Sequence, residues 1–307
     1  MKRLLLLLFL LGFFTYDGVS QSFVRKAGSS PLEVTVGVGS STYYGDLADD
    51  APYNNFGSNI NLGMRYRVFP HVKVGFDASL ISLSGQDLYE ERGLSFNSIN
   101  YEFAGILQAE LFDNNAKDRS STRKSIIPYG FVGVGALMFN PTVKVDGTSY
   151  DLRDFQTNGE EYEKFAMVVP LGVGVKYEIN PQFSLGIEFT YRAVFTDYLD
   201  DVSKAEYRSI NSFQNLEGEE QQIAMLLAYG KQAANFITAA NNGDIDKTKD
   251  FTYGGFVRGN PDNDDAYTTT AVRLTYNFAK GTYKRRPKRP GRYKPPKRRK
   301  PKRRRRR

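Results

Sequence analysis

Phe183-Ser184-Leu185-Gly186-Ile187-Glu188-Phe189-Thr190-Tyr191-Arg192-Ala193 alternates without a fault, with apolar residues at odd positions and Ser, Gly, Glu, Thr and Arg at even ones. A period of two sends successive side chains to opposite faces of a β-strand. One face here is continuously apolar, and the other carries both signs of charge. Asn180-Pro181-Gln182 precedes the run as a tight turn. Before that turn, Phe165–Ile179 repeats the pattern: Met167, Val169, Leu171, Val173, Val175 and Tyr177 stand against Gly172, Gly174, Lys176 and Glu178.

Working outward, the same alternation recurs in Glu33–Tyr43, Ser58–Phe69, Val72–Leu83, Ser98–Phe112 and Tyr267–Phe278. Ile127–Phe139 is an eighth stretch, apolar on both faces and rich in Gly, so its facing is open. The joins sort by parity. Those after the second and sixth stretches are short and contain Pro. Those after the first, third, fifth and seventh are longer, and Asp197–Ala266 is the longest. The one mismatch is Asp113–Ser125. Short turns at one end and long loops at the other are the pattern of an outer-membrane β-barrel.

The polar face carries Glu33, Asp77, Glu102, Glu110, Glu178 and Glu188 with Arg65, Arg67, Lys73, Lys176, Arg192 and Arg273. A soluble ligand-binding barrel would invert this, with apolar residues inside. The expected fold is therefore all-β: an eight-stranded antiparallel transmembrane barrel with lipid outside and a lumen charge network inside. Eight strands leave room for little more than side chains, so the lumen is expected to be plugged by mutual ion pairing. Gly at lumen positions is expected to make space for long charged side chains.

Lys2 and Arg3, the apolar run Leu4–Phe14 and the small residues Gly18, Val19 and Ser20 form an export signal over residues 1–20. The run is too short for a spanning helix. Without Cys there is no disulfide framework, thiolate metal site or lipid-anchoring Cys. Residues 21–279, the expected barrel domain, hold 22 basic and 33 acidic side chains, whereas 280–307 hold 18 Lys or Arg and no acid. This tail includes Lys284, Arg285, Arg286, Lys297, Arg298, Arg299 and Lys300. Pro287, Pro290, Pro295, Pro296 and Pro301 exclude a continuous helix. Extended at ~3.1 Å per residue, the tail reaches on the order of 85 Å. An even strand number places this disordered tether in the periplasm, where nucleic acid is not a partner.

Catalytic and metal chemistry finds little support. The only His is His71, in a turn. Gly37-Val38-Gly39, Gly133-Val134-Gly135 and Gly172-Val173-Gly174 lack the helix of a dinucleotide site. Asp262, Asp264 and Asp265 lack the Gly and Glu of a calcium loop and read as a solvated turn. No catalytic residue, cofactor or metal is expected. Within the longest loop, Glu217–Ala240 has helical spacing through Ile223, Leu226, Leu227, Ala234, Phe236 and Ile237, with Gly230 as a weak point and Asn241-Asn242-Gly243 as a stop. Its expected role is to cap the barrel mouth or pack on its own loop, with docking of a partner as the alternative.

Several runs resemble the PorG-type outer-membrane barrels of Bacteroidota. They are Ser41-Thr42-Tyr43-Tyr44-Gly45-Asp46-Leu47, Gly93-Leu94-Ser95-Phe96, Tyr129-Gly130-Phe131-Val132-Gly133-Val134-Gly135, Phe139-Asn140-Pro141 and Arg258-Gly259-Asn260-Pro261. Another is Phe195-Thr196-Asp197-Tyr198-Leu199-Asp200-Asp201-Val202-Ser203, of which Thr196–Ser203 is the most specific. The resemblance implies a component of the type IX secretion and gliding machinery, partnered by a periplasmic ring of a lipoprotein and its companion. The basic tail is outside that pattern. Physically it suits an anionic envelope polymer such as peptidoglycan, so a general structural barrel, tethered or displaying an adhesive loop, is the alternative reading. An outer-membrane lipid-modifying enzyme is disfavoured.

Overall fold

The computed structural model describes residues 31–47, 56–87, 92–111, 126–180, 182–253, 257–261 and 265–278. The expected export signal and basic tail lie outside the described residues. So do Asp262 and Asp264 and the whole Asp113–Ser125 join.

Ten strands form one antiparallel sheet: β1 (Leu32–Tyr44), β2 (Phe56–Arg67), β3 (Val72–Gln86), β4 (Ser95–Glu110), β5 (Ile126–Met138), β6 (Pro141–Val145), β7 (Thr148–Asp151), β8 (Phe165–Glu178), β9 (Phe183–Val194) and β10 (Ala266–Asn277). Eight of them follow the order β3-β2-β1-β10-β9-β8-β5-β4, and pairing of β3 with β4 closes the barrel. Closure leaves these eight strands without an unpaired edge, which is what a sheet spanning a membrane requires.

The faces separate as the alternation predicts. Val36, Leu62, Phe103, Leu171, Ile187 and Leu274 are exposed on the outer wall, whereas Glu33, Arg65, Asp77, Glu102, Lys176 and Arg192 are buried inside. In β5 the open facing resolves with Ile127, Tyr129, Phe131 and Leu137 inward. Tyr129 pairs across to Gly174 and Phe131 to Gly172. A Cβ at either glycine would collide with the opposing ring. These glycines therefore make room for aromatic rings rather than for long charged side chains. Gly63, whose Cβ would meet Asp77 and Arg273, does serve the charged side chains.

Charge alone does not plug the barrel. Toward the long loops, the inward positions become apolar. Ile81, Leu83, Phe96, Leu137, Val168 and Val194 pack with Tyr43 and Tyr267 and with loop residues Leu47, Leu94, Phe139, Leu152, Leu199, Val202 and Leu227. Above this plug the long loops form a cap. β6 and β7 make a hairpin through Asp146-Gly147, both at positive φ, a two-residue turn whose twist matches the strands.

The longest loop contributes α1 (Gly218–Tyr229) and α2 (Ala233–Asn242), separated at Gly230 and ended by left-handed Gly243. Ala224, Ala228 and Tyr229 of α1 and Phe236, Ala239 and Ala240 of α2 pack with Tyr207, Phe213 and Phe251. Leu226 and Ala234, expected on the packed face, are exposed instead. Small Ala side chains let the helices approach the ring cluster, while Leu227 reaches into the barrel plug. The helical segment thus both packs on its own loop and caps the mouth.

Candidate functional site

The lumen holds three tiers of charge. Nearest the short turns, Lys73 Nζ lies 2.5 Å from Glu33 Oε2 and 2.5 Å from Glu110 Oε1. Lys176 Nζ is 2.5 Å from the same Glu110 oxygen, and Arg67 is 3.4 Å from both carboxylates. Glu178, the last residue of β8, stands half-buried on the lumen parity at this rim. In the middle tier Arg65 grips Asp77 through two parallel bonds of 2.8 and 2.7 Å. Arg273 joins Asp77 at 3.3 Å and Glu188 at 2.5 Å, and Tyr129 donates its hydroxyl to Glu188 at 2.8 Å. In the upper tier Arg192 donates to Glu102 at 2.6 Å and to Thr269 at 2.6 Å, while the Tyr267 hydroxyl donates to Glu102 at 2.7 Å.

Strand pairing explains this assembly. Arg65 and Asp77, Lys73 and Glu110, and Arg273 and Glu188 stand two residues apart on neighbouring strands, whereas Lys176 reaches Glu110 and Arg192 reaches Glu102 from strands that are not adjacent. A charge removed from water is tolerable when a partner and further hydrogen bonds replace its hydration. A cavity of about 20 Å³ remains among Glu33, Thr35, Arg65, Tyr129, Lys176, Glu188 and Arg273. That is space for about one water. Among the described residues the charged tiers leave little open space at this level of the lumen.

The family-like run Thr196–Ser203 lies where β9 enters the cap, and its centre is buried: Leu199 and Asp200 are 0% exposed and Asp201 1%. The Tyr43 hydroxyl sits 2.7 Å from Asp200 Oδ2 and 2.5 Å from Asp265 Oδ1. One hydroxyl proton cannot serve two carboxylates, so the second short contact requires a protonated carboxyl. Asp265 also accepts from the Leu199 N–H at 2.8 Å, and Asp200 from the Val202 N–H at 2.8 Å. Burial pushes Asp200 up to about 8, with the charges of Asp46 and Asp197 adding to it. Burial likewise raises Asp265, and it lifts Asp197 to about 7. Asp265 is therefore a buried member of a carboxyl pair, not part of a solvated turn. Its distant partner, Asp200, gives no local sequence signal.

Asp201, at φ 67°, accepts from Tyr162 at 2.8 Å and from Thr157. Its neighbour Arg258 is 1% exposed, bonding Thr157 at 2.7 Å, the Asp201 carbonyl at 2.9 Å, the Ala228 carbonyl at 3.3 Å and Asn158. Arg92 pairs with Asp87 and donates to the carbonyls of Val257 and Arg258 at 2.9 and 2.6 Å. Two buried guanidinium groups thus join the long loops into one lid. The remaining residues of the run sit nearer its edge: Thr196, Asp197 and Tyr198 are half-buried. The Tyr198 hydroxyl donates to Glu160 at 3.1 Å.

His71 stays in the β2–β3 turn, where its ring nitrogen Nδ1 is 3.2 Å from the Glu110 carbonyl. Among the described residues no group of three or more His, Cys, Asp or Glu side chains is arranged to hold a metal ion. No helix among them is long and apolar enough to cross a membrane.

A family model for the outer membrane protein beta-barrel domain matches residues 6–214. The chain belongs to this family. It is an integral outer-membrane barrel, and the apolar wall meets lipid. No curated protein matches it. Among solved structures, Neisserial surface protein A (NspA) resembles it at TM-score 0.39 and 10% identity over 82% of this chain and 99% of its own. OprG from Pseudomonas aeruginosa does so at TM-score 0.40 and 12% identity over 82% and 98%. Ail, the attachment invasion locus protein of Yersinia pestis, does so at TM-score 0.38 and 11% identity over 82% and 100%. Likenesses this distant carry no functional weight.

Proposed function

We propose that this barrel is a non-enzymatic anchor that organises type IX secretion or gliding machinery through its periplasmic face. The carrying observation is how charge divides between the two ends of a filled, charge-balanced barrel. The connections at the long-loop end (45–55, 87–94, 139–164 and 195–265) hold 25 acidic and 10 basic residues. The segments attached at the short-turn end, the basic tail included, hold 24 basic residues and 2 acidic ones once the signal is removed. With the lumen filled and the mouth capped, action falls to the ends. The basic end suits an acidic protein ring or an anionic polymer, by the complementarity that steers association at high rate.

In this reading the tail hangs in the periplasm and the capped loops face outward. The resemblance to PorG-type barrels supplies the machinery, and the tail supplies reach. A general barrel tethered to peptidoglycan is the second reading, favoured by a tail that lacks any acid. Affinity purification of the full chain and of a form lacking 280–307 separates them. Recovery of secretion-ring proteins that weakens with the deletion supports the proposal. Recovery of peptidoglycan alone refutes it.

A further inference from the structure

The apolar belt around the barrel is not level. On β8 outward apolar residues run from Phe165 to Tyr177, and β5, next to it, is apolar along its outer face. At ~2.6 Å of height per residue for a strand tilted in the usual way, the β8 run covers roughly 30 Å. Two strands round from β8 the apolar run of β10 begins only at Val272, and on β1 beyond it the run ends at Val38, so roughly 16 Å is covered from Val272 to Phe278. The expected apolar band is about 25 Å tall. The missing part falls on hydroxyls: Ser40 pairs with Thr270, and Thr42 with Thr268.

These residues floor a notch of about 190 Å³ in the outer wall, with Phe56 and Phe189 as its sides and Tyr44 at its upper end. Thr268 is only 9% exposed, yet its hydroxyl makes no hydrogen bond among the described residues. The hydroxyls of Ser40, Thr42 and Thr270 are likewise free among them. Free hydroxyls at hydrocarbon depth are unfavourable.

We propose that this notch holds the sugar head of a membrane glycolipid. Its lining has no charged side chain, which argues against a phosphate head. Hydroxyls both donate and accept, as sugar hydroxyls do, and the aromatic sides suit the apolar face of a pyranose ring. The notch, about 190 Å³ against the 20 Å³ of the lumen cavity, is large enough for a ring rather than a single water. A second copy fits less well, because two concave patches meeting about a two-fold axis enclose a void.

Native mass spectrometry of the full-length barrel tests this with monoglucosyl-diacylglycerol, phosphatidylglycerol and diacylglycerol of matched acyl chains. The glucosyl lipid is expected to be retained about tenfold over both others, the worth of two ordinary hydrogen bonds. The Thr42→Val/Thr268→Val pair should erase the preference while the barrel keeps its folded mobility in detergent. If that pair fails to fold, Ser40→Phe, which fills the notch, should do the same. Equal retention of the three lipids, or preference for phosphatidylglycerol, overturns the proposal. So does efficient dimer formation through Ser40→Cys in native membranes.

Discussion

Replacing Asp200 by Asn should remove a pH dependence from the lid. Asp200 and Asp265 share the Tyr43 hydroxyl at 2.7 and 2.5 Å, with Asp46 and Asp197 as the nearby charges, so the closed lid retains a proton that the open lid releases. The sign follows from linkage. A carboxyl raised from its ordinary 3.8 to about 8 favours closure fully below 3.8, and it loses that contribution as pH climbs toward 8. One retained proton is worth ~1.4 kcal/mol per pH unit across that window. Between about pH 5.5 and 7.5 the closed lid should therefore weaken by roughly 3 kcal/mol, on the order of a hundredfold in its opening equilibrium. Hydrogen exchange of the Leu199 and Val202 amides in reconstituted barrels reads this directly, after correction for the intrinsic pH dependence of exchange. The amide of the Asp200→Asn variant keeps the shape and cannot ionise, so its corrected opening should vary less with pH by that amount. A wild-type opening equilibrium that is flat over this range, or a variant with an unchanged slope, refutes the shared-proton lock.

Arg192→Met should destabilise the barrel by ~3–5 kcal/mol, because Glu102 loses its guanidinium partner while still buried. Urea unfolding in lipid vesicles measures it, and Arg192→Met with Glu102→Gln should recover much of the loss. Arg258→Met should release the lid without unfolding the strands, seen as new protease cuts confined to residues 150–265 in an otherwise protected chain. Gly230→Ala should cost ~1–3 kcal/mol within the lid, since φ is 57° there and the new Cβ would meet the Arg92 carbonyl. The expected reading is faster exchange in α1 and α2 with the barrel strands unchanged. In planar bilayers the wild-type barrel should give no unitary conductance, and stable ion currents would contradict the filled lumen.

The strands are legible in the sequence because a period of two is local. Phe183–Val194 needs no knowledge of β8 or β10 to show which residues face together. Where legibility fails, the deciding partner is usually remote. Tyr129 and Phe131 face inward because Gly172 and Gly174 leave space across the ladder, a pairing visible only once register is known. The β6–β7 hairpin does carry a local signal: Asp146-Gly147 between Val143, Val145 and Tyr150 is a strong two-residue turn. The apolar plug has one too, since Ile81 and Leu83 break the polar parity of β3. The carboxyl lock has none. Asp200 and Asp265 look in sequence like any solvated loop acid, and only folding of the longest loop brings both to Tyr43.

That lock bears on what the resemblance can mean. The run on which the resemblance chiefly rests, Thr196–Ser203, supplies buried side chains to the closure of the lid. A chain carrying the same run is under the same packing constraint whatever it binds, because replacing Leu199, Asp200 or Asp201 opens a gap or strands a polar group. The run therefore reports how the mouth is shut. Under the proposed anchoring, the residues that choose a partner belong to the basic segments of sequence attached at the short-turn end. Transferring residues 280–307 to an unrelated eight-stranded barrel should carry the partner with them, whereas transferring Thr196–Ser203 should not. If the reverse holds in affinity purification, the proposed anchoring through the basic end is refuted.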